Sequence, residues 1–106
     1  WPHAATIARK IADLRLLDGE RSVVDAGAPV LVVSQFTLYG DCRKGRRPSW
    51  NEAAPPSLAK ELYDRFLELC RQRDISTEAG VFQAMMDVSL TNDGPVTILL
   101  DSHKIF

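Results

Sequence analysis

The run Val30-Leu31-Val32-Val33 constrains this chain more than any other feature: four apolar residues in a row, three of them β-branched. A half-exposed strand alternates apolar and polar residues. A continuous run predicts a strand buried on both faces, continuing to Leu38. Such a strand needs cover, and the flanking sequence offers helices. Between Ala5 and Leu17, the residues Ile7, Ile11, Leu14 and Leu17 recur at helical spacing, with Arg9, Lys10, Asp13 and Arg15 mostly on the opposite side. Thr6 could cap this helix, or Pro2 could open it as a first-turn proline, and Asp18-Gly19 ends it. From Ser57 to Arg73 a second stripe of Leu58, Leu62, Phe66, Leu69 and Cys70 predicts another helix, with Ser57 as its cap.

The rest of the chain is less regular. Residues 19–29 carry two glycines and a proline and read as loop. Tyr39 to Pro56 also reads as loop, and an unstructured stretch of that length inside a compact domain tends to be functional. Thr77 to Leu90 reads as extended, with Met86, Val88 and Leu90 alternating against Asp87, Ser89 and Thr91. Asn92-Asp93-Gly94-Pro95 is a turn, and Val96 to Leu100 a last strand. The order α-β-α-β-β predicts an α+β fold. With 106 residues, the chain forms one small domain with a modest core, which dimerisation would supplement.

Composition narrows the function by exclusion. The 45% hydrophobic and 25% charged content fits an ordinary globular protein. The net charge of −1 gives no global attraction for nucleic acid, so any anion site must be local. Cys42 and Cys70 are too few and too scattered for a disulfide framework or a zinc site, and read as free thiols of a reducing cytoplasm. No apolar run approaches the ~18 residues of a membrane span. No metal site and no cofactor is expected.

Local clustering does occur. Arg43, Lys44, Arg46 and Arg47 fall within five positions, flanked by Tyr39 and Trp50. Guanidinium forks beside aromatic planes suit phosphates and unstacked bases, although a merely solvated loop has the same composition. Directly before it, Ser34, Gln35 and Thr37 end the predicted strand. In a strand Gln35 and Thr37 share one face, so they could form a pocket wall or simply close the strand. A nucleophilic hydroxyl needs a neighbouring base. None lies at useful local spacing, and His3 and His103 sit at the chain ends, which argues against a Ser-His-Asp arrangement.

Taken together, "LVVSQFTLYGDCRKGRRPSW", "AAPP" and "VFQAMMDVSLTNDGPVTILLDS" resemble the D-aminoacyl-tRNA deacylases, the D-Tyr-tRNA deacylase family. The pairing of SQFTL with NDGPVT carries the resemblance, which runs from about Ile7 to Asp101. Family members have a further N-terminal segment that forms early strands, so the resemblance implies one deacylase-like domain over residues 1–106, incomplete at its N-terminus. It also implies a mixed or antiparallel, barrel-like sheet with two helices packed on it, in a cytoplasmic homodimer. The implied reaction is hydrolysis of the ester between a D-amino acid, or glycine, and the 3′ end of tRNA, a chiral proofreading step. A non-catalytic RNA-binding module on the same fold is the alternative. Partners would be aminoacyl-tRNA and a second subunit, with no DNA and no membrane.

The resemblance also implies roles for residues. Gln35, Phe36 and Thr37 would be catalytic. Gln35 and the backbone amides near Phe36 would stabilise the oxyanion while the 2′-hydroxyl of the terminal ribose carries the chemistry. Ser34 and Leu38 complete that wall, and Phe82, Ala84 and Met86 line the adenosine pocket. Asn92, Gly94 and Pro95 belong to a Gly-cisPro turn that reaches into the partner's pocket and excludes L side chains. Arg43, Lys44, Arg46 and Arg47 would hold tRNA. Gln83 departs from the pattern, standing where the family usually has Gly or Ala.

Overall fold

The computed structural model describes residues 2–94 and 96–104. Helix α1 spans Pro2–Asp13, a one-turn helix α2 spans Val23–Ala26, strand β1 is Val30–Val32, helix α3 is Pro56–Gln72 and strand β2 is Thr77–Ala79. β1 and β2 pair in parallel, with Val30 opposite Thr77, Leu31 opposite Glu78 and Val32 opposite Ala79. A parallel pair needs a long crossover, and here α3 lies within it. The fold is a small α+β arrangement: helices α1 and α3 pack on each other, and α3 also packs on β2.

The helix contact uses small residues. Ala8 and Ala12 on α1, Cys70 on α3 and Ile75 just after it form the buried core, with Ile11, Val23, Val30, Phe66 and Leu69 packed around them. Alanine at two positions one turn apart lets the helix backbones approach closely. The buried stripe of α1 is therefore centred on Ala8 and Ala12 rather than on the expected isoleucines and leucines, and the helix stops at Asp13 rather than Leu17. Beyond it, Leu17 and Arg21 form an antiparallel bridge around Asp18-Gly19-Glu20. Burial pushes the Cys70 thiol above its ordinary pKa, whereas Cys42 is exposed.

Several local expectations are corrected. The expected loop 19–29 contains α2, which forms because Ser22 and Asp25 make a reciprocal capping box: the Asp25 amide donates to Ser22 Oγ at 3.1 Å and the Ser22 amide to Asp25 Oδ2 at 3.3 Å. Gly27, at φ 62°, closes it in the left-handed region. Helix α3 begins with Pro56 at its first position, and Ser57 makes no cap. The VLVV run is covered on one side only: Val30 and Val32 are half-buried while Leu31 is 60% exposed, because the helices pack against a single face of a two-stranded sheet.

The expected sheet is larger than the one observed. After Ala79 the segment 80–100 forms no ladder among the described residues, and Met85, Leu90, Val96, Ile98 and Leu99 are exposed. The expected strand Val96 to Leu100 and most of Thr77 to Leu90 are thus unpaired. A strand is stabilised by neighbours, and the described residues supply β1 and β2 alone. Among them, one parallel pair stands where a mixed or antiparallel sheet is expected.

Candidate active site

The polar end of β1 leaves the sheet. Gln35 is extended, at φ −151°, and Phe36–Tyr39 then wind into a 3-10 turn closed by the Gly40 amide on the Thr37 carbonyl. The alternation expected of a continuing strand is lost, but its consequence survives by another route: Gln35 Nε2 lies 2.6 Å from Thr37 Oγ1. The Phe36 ring meets the Trp50 indole edge to face at 5.7 Å. A Cβ at Gly40 would approach the Trp50 ring nitrogen to 3.1 Å, so glycine allows the turn and the indole to sit together.

The opposite wall follows β2. The Gly80 amide donates to the Val32 carbonyl at 3.1 Å, extending the pairing by one bond. Gln83 then adopts φ 64°, which turns the chain back on itself. The Met86 thioether folds over Gly80, where an added Cβ would meet its Sδ at 3.3 Å. Tyr63 on α3 ties the two walls together: its hydroxyl donates to the Val32 carbonyl at 2.9 Å and lies 3.4 Å from that of Gly80.

Between the walls is an open cavity of about 520 Å³, lined on one side by Val33, Ser34, Gln35 and Phe36, and on the other chiefly by Val81, Gln83, Ala84, Met85 and Met86. That size and mixed lining suit a small organic ligand or a nucleoside. The cavity brings together Ser34, Gln35, Phe36, Ala84 and Met86 of the residues picked out by sequence. Thr37 adjoins it through its hydrogen bond with Gln35, and Leu38 is exposed and outside the lining. The Phe82 ring packs against Tyr63 at 5.8 Å with the Lys60 ammonium 5.9 Å above it, outside the lining. Asn92 and Gly94 are exposed and outside this lining, with Asn92 Oδ1 3.1 Å from where a Gly94 Cβ would stand. Pro95 lies outside the described residues.

The cationic segment forms a closed loop. Asp41 and Ser49 exchange backbone hydrogen bonds of 2.6 and 2.9 Å, and Gly45 turns at φ 66°. Its charges are not equivalent. Asp41 accepts from Arg43 Nε at 2.9 Å, from Arg43 Nη2 at 2.7 Å and from the Arg43 amide at 3.1 Å. The Arg43 side chain, followed by its amide, holds the Asp41 carboxyl below the usual carboxylate range, and the same pair raises Arg43. Lys44, Arg46 and Arg47 are exposed and make no ion pair among the described residues.

Sequence reading missed Tyr63, whose hydroxyl fixes the wall spacing. The tyrosine in an otherwise apolar helical stripe was the available signal. Among the described residues no cluster of three or more His, Cys, Asp or Glu side chains is placed to hold a metal ion.

The site is an open cavity on a small α+β scaffold, and an exposed cationic loop follows its Ser34–Phe36 wall in sequence. The sequence matches the family described as D-Tyr-tRNA(Tyr) deacylase over residues 2–101. It is 61% identical over 102 residues to a D-aminoacyl-tRNA deacylase of Micrococcus luteus, covering 96% of this chain and 68% of that protein. A D-aminoacyl-tRNA deacylase of Thermosipho africanus is 54% identical over 105 residues, covering 94% of this chain and 70% of the relative. Among solved structures, a protein titled c-Myc DNA unwinding element binding protein superposes with a TM-score of 0.80 at 38% identity, over 92% of this chain and 70% of that one. The chain belongs to the D-Tyr-tRNA(Tyr) deacylase family.

Proposed function

We propose that this protein hydrolyses the ester linking a D-amino acid, or glycine, to the terminal adenosine of tRNA. The observation that carries the reading is the meeting of two distant segments, Ser34–Phe36 of the SQFTL motif and Ala84–Met86, across one cavity of about 520 Å³. Gln35 and Phe36 line it, and in this reading the Gln35 side chain and the amides around Phe36 would stabilise the oxyanion of the tetrahedral intermediate. Thr37 would position substrate rather than attack it. Its hydroxyl is paired with the Gln35 amide, which is no base in either orientation, so the ribose 2′-hydroxyl is left to assist the chemistry. An activated ester held in place needs little beyond orientation and charge stabilisation.

Two further elements support a homodimer with a shared site. Gly94 is not among the residues that line the protomer's own cavity, which leaves its turn available to a partner's cavity. The exposed apolar residues of segment 81–100 suit pairing in a larger, barrel-like sheet. Lys44, Arg46 and Arg47 would hold RNA phosphates, with Arg43 partly neutralised by Asp41. Such a substrate belongs to the translating cytoplasm, and no described helix is long and apolar enough to cross a membrane.

The test is release of amino acid from D-Tyr-tRNA and L-Tyr-tRNA by the full chain. Turnover of the D-ester alone, and much slower turnover of a D-Tyr-tRNA ending in 2′-deoxyadenosine, is the expected result. Absence of D-ester turnover would reduce the protein to an RNA-binding module. Light scattering that finds an active monomer would remove the shared site. Joint substitution of Arg46 and Arg47 by Ala should lower the salt dependence of tRNA binding by roughly one unit of slope per lost phosphate contact.

A further inference from the structure

A second hollow, of about 380 Å³, shares the Ser34–Phe36 segment as a wall with the main cavity. Its remaining lining is Tyr39, Glu52, Ala53, Ala54, Ala59 and Leu62. A third, of about 440 Å³, begins two residues beyond Tyr39 and is lined by Asp41, Arg43, Lys44, Arg47 and Ser49. The second and third hollows are neighbours, since Asp41 and Ser49 of the third form the backbone bridge that closes the loop, and Tyr39 and Glu52 of the second flank that bridge two and three residues away. The three hollows therefore follow one another: a main cavity, a middle one with an exposed aromatic ring and a carboxylate, and a cationic one.

The chemistry of the middle hollow is selective. The Tyr39 ring is 60% exposed and stacks on no other ring among the described residues. An exposed aromatic face beside small alanines accepts a flat base, and base–aromatic stacking is tolerant of base identity. A carboxylate on the path of an RNA strand repels phosphates, so Glu52 favours a base edge that donates. Carboxylates accept from the exocyclic amine of cytosine, and tRNA ends in CCA.

We propose that this middle hollow receives the penultimate nucleobase of the tRNA end, stacked on Tyr39 with its exocyclic amine donating to Glu52. The subsite rests on the aminoacyl-tRNA reading above and adds a recognition element upstream of the terminal adenosine.

Two esters separate the subsite from the main cavity: D-tyrosyl-adenosine and the D-tyrosyl ester of the trinucleotide CCA. Tyr39→Ala should raise the KM for the trinucleotide ester relative to that for the adenosine ester by about tenfold, and Tyr39→Phe should restore the ratio. The unsubstituted protein should prefer the CCA ester over the CUA ester, because uracil lacks the amine, and Glu52→Ala should erase that preference. Equal loss on both esters, or no loss on either, would overturn the subsite. If the unsubstituted protein hydrolyses neither ester, the deacylase reading falls. The subsite is then decided by equilibrium binding of free CCA trinucleotide: about tenfold weaker binding to Tyr39→Ala supports it, and unchanged affinity overturns it.

Discussion

The Tyr63 hydroxyl reaches across 31 residues of chain to donate a 2.9 Å hydrogen bond to the Val32 carbonyl. That carbonyl also accepts from the Gly80 amide at 3.1 Å, so one oxygen joins α3, β1 and the end of β2 where the cavity opens. Tyr63→Phe keeps the ring on Phe82 and removes only the hydroxyl. Because a second donor already satisfies Val32, the stability loss should be about 1 kcal/mol, measured by chemical denaturation. Catalysis should respond more than stability does, with kcat on the D-ester falling while the CD spectrum stays unchanged.

Gln83 occupies φ 64° at an exposed position on the cavity rim. A side chain there collides with its own backbone, a conformation that glycine adopts freely. Gln83→Gly should stabilise the chain by roughly 0.5–1 kcal/mol, the relief of strain being offset in part by a more flexible unfolded state. The denaturation midpoint should rise with an unchanged slope, and a fall in midpoint would show that the Gln83 side chain makes a compensating contact.

The Asp41–Arg43 pair sets a pH dependence for the cationic loop. The folded carboxyl titrates below its ordinary value of 3.8. Its contribution is therefore fully present above that ordinary value, and is lost as pH falls through the lower folded value. The loop should stay clamped at neutral pH and loosen only in strong acid, below about pH 4. Following the Arg43 Nε–H resonance through an acid titration should show this transition. Asp41→Asn should abolish it, and should strengthen RNA binding at low salt because Arg43 is freed.

Gly94 tolerates no side chain without movement: a Cβ there would collide with the backbone nitrogen of Val96 and press on Asn92 Oδ1 at 3.1 Å. Gly94→Ala should therefore distort the turn while leaving the helical core, to which it contributes nothing, intact. Activity on D-Tyr-tRNA and Gly-tRNA should fall, with no new activity on L-Tyr-tRNA. A thermal melt within a few degrees of the unsubstituted protein would separate this from unfolding, and unchanged D-ester turnover would remove the turn from the site.

Part of the candidate site was legible as sequence because its residues are contiguous. SQF after the VLVV run and the basic residues that follow are contiguous, and their residue types alone suggest a polar wall and an anion contact, whereas the lining by Ala84 and Met86 was an implication of the family resemblance. Both long helices were legible for a similar reason: their periodicity is a property of ten or more neighbouring residues. Local signals also misled. Ser57 looks like a cap, yet Pro56 already opens α3 with a fixed φ. The pair Ser22 and Asp25 forms a complete capping box inside what reads as loop.

What tertiary structure alone decided was pairing and coverage. The VLVV run promises burial on both faces, but burial depends on what packs against each face, and here Leu31 stays exposed. Among the described residues of Thr77 to Leu100, extended propensity yields a strand where β1 supplies hydrogen-bond partners, at Thr77–Ala79. Likewise Tyr63, one aromatic in a helix, becomes the brace of the cavity only because α3 lies across the crossover between two parallel strands. Composition and spacing fix which groups a chain carries. The long-range hydrogen bonds that bring Ser34–Phe36 opposite Ala84–Met86 come from contacts between residues far apart in sequence, and no local pattern encodes them.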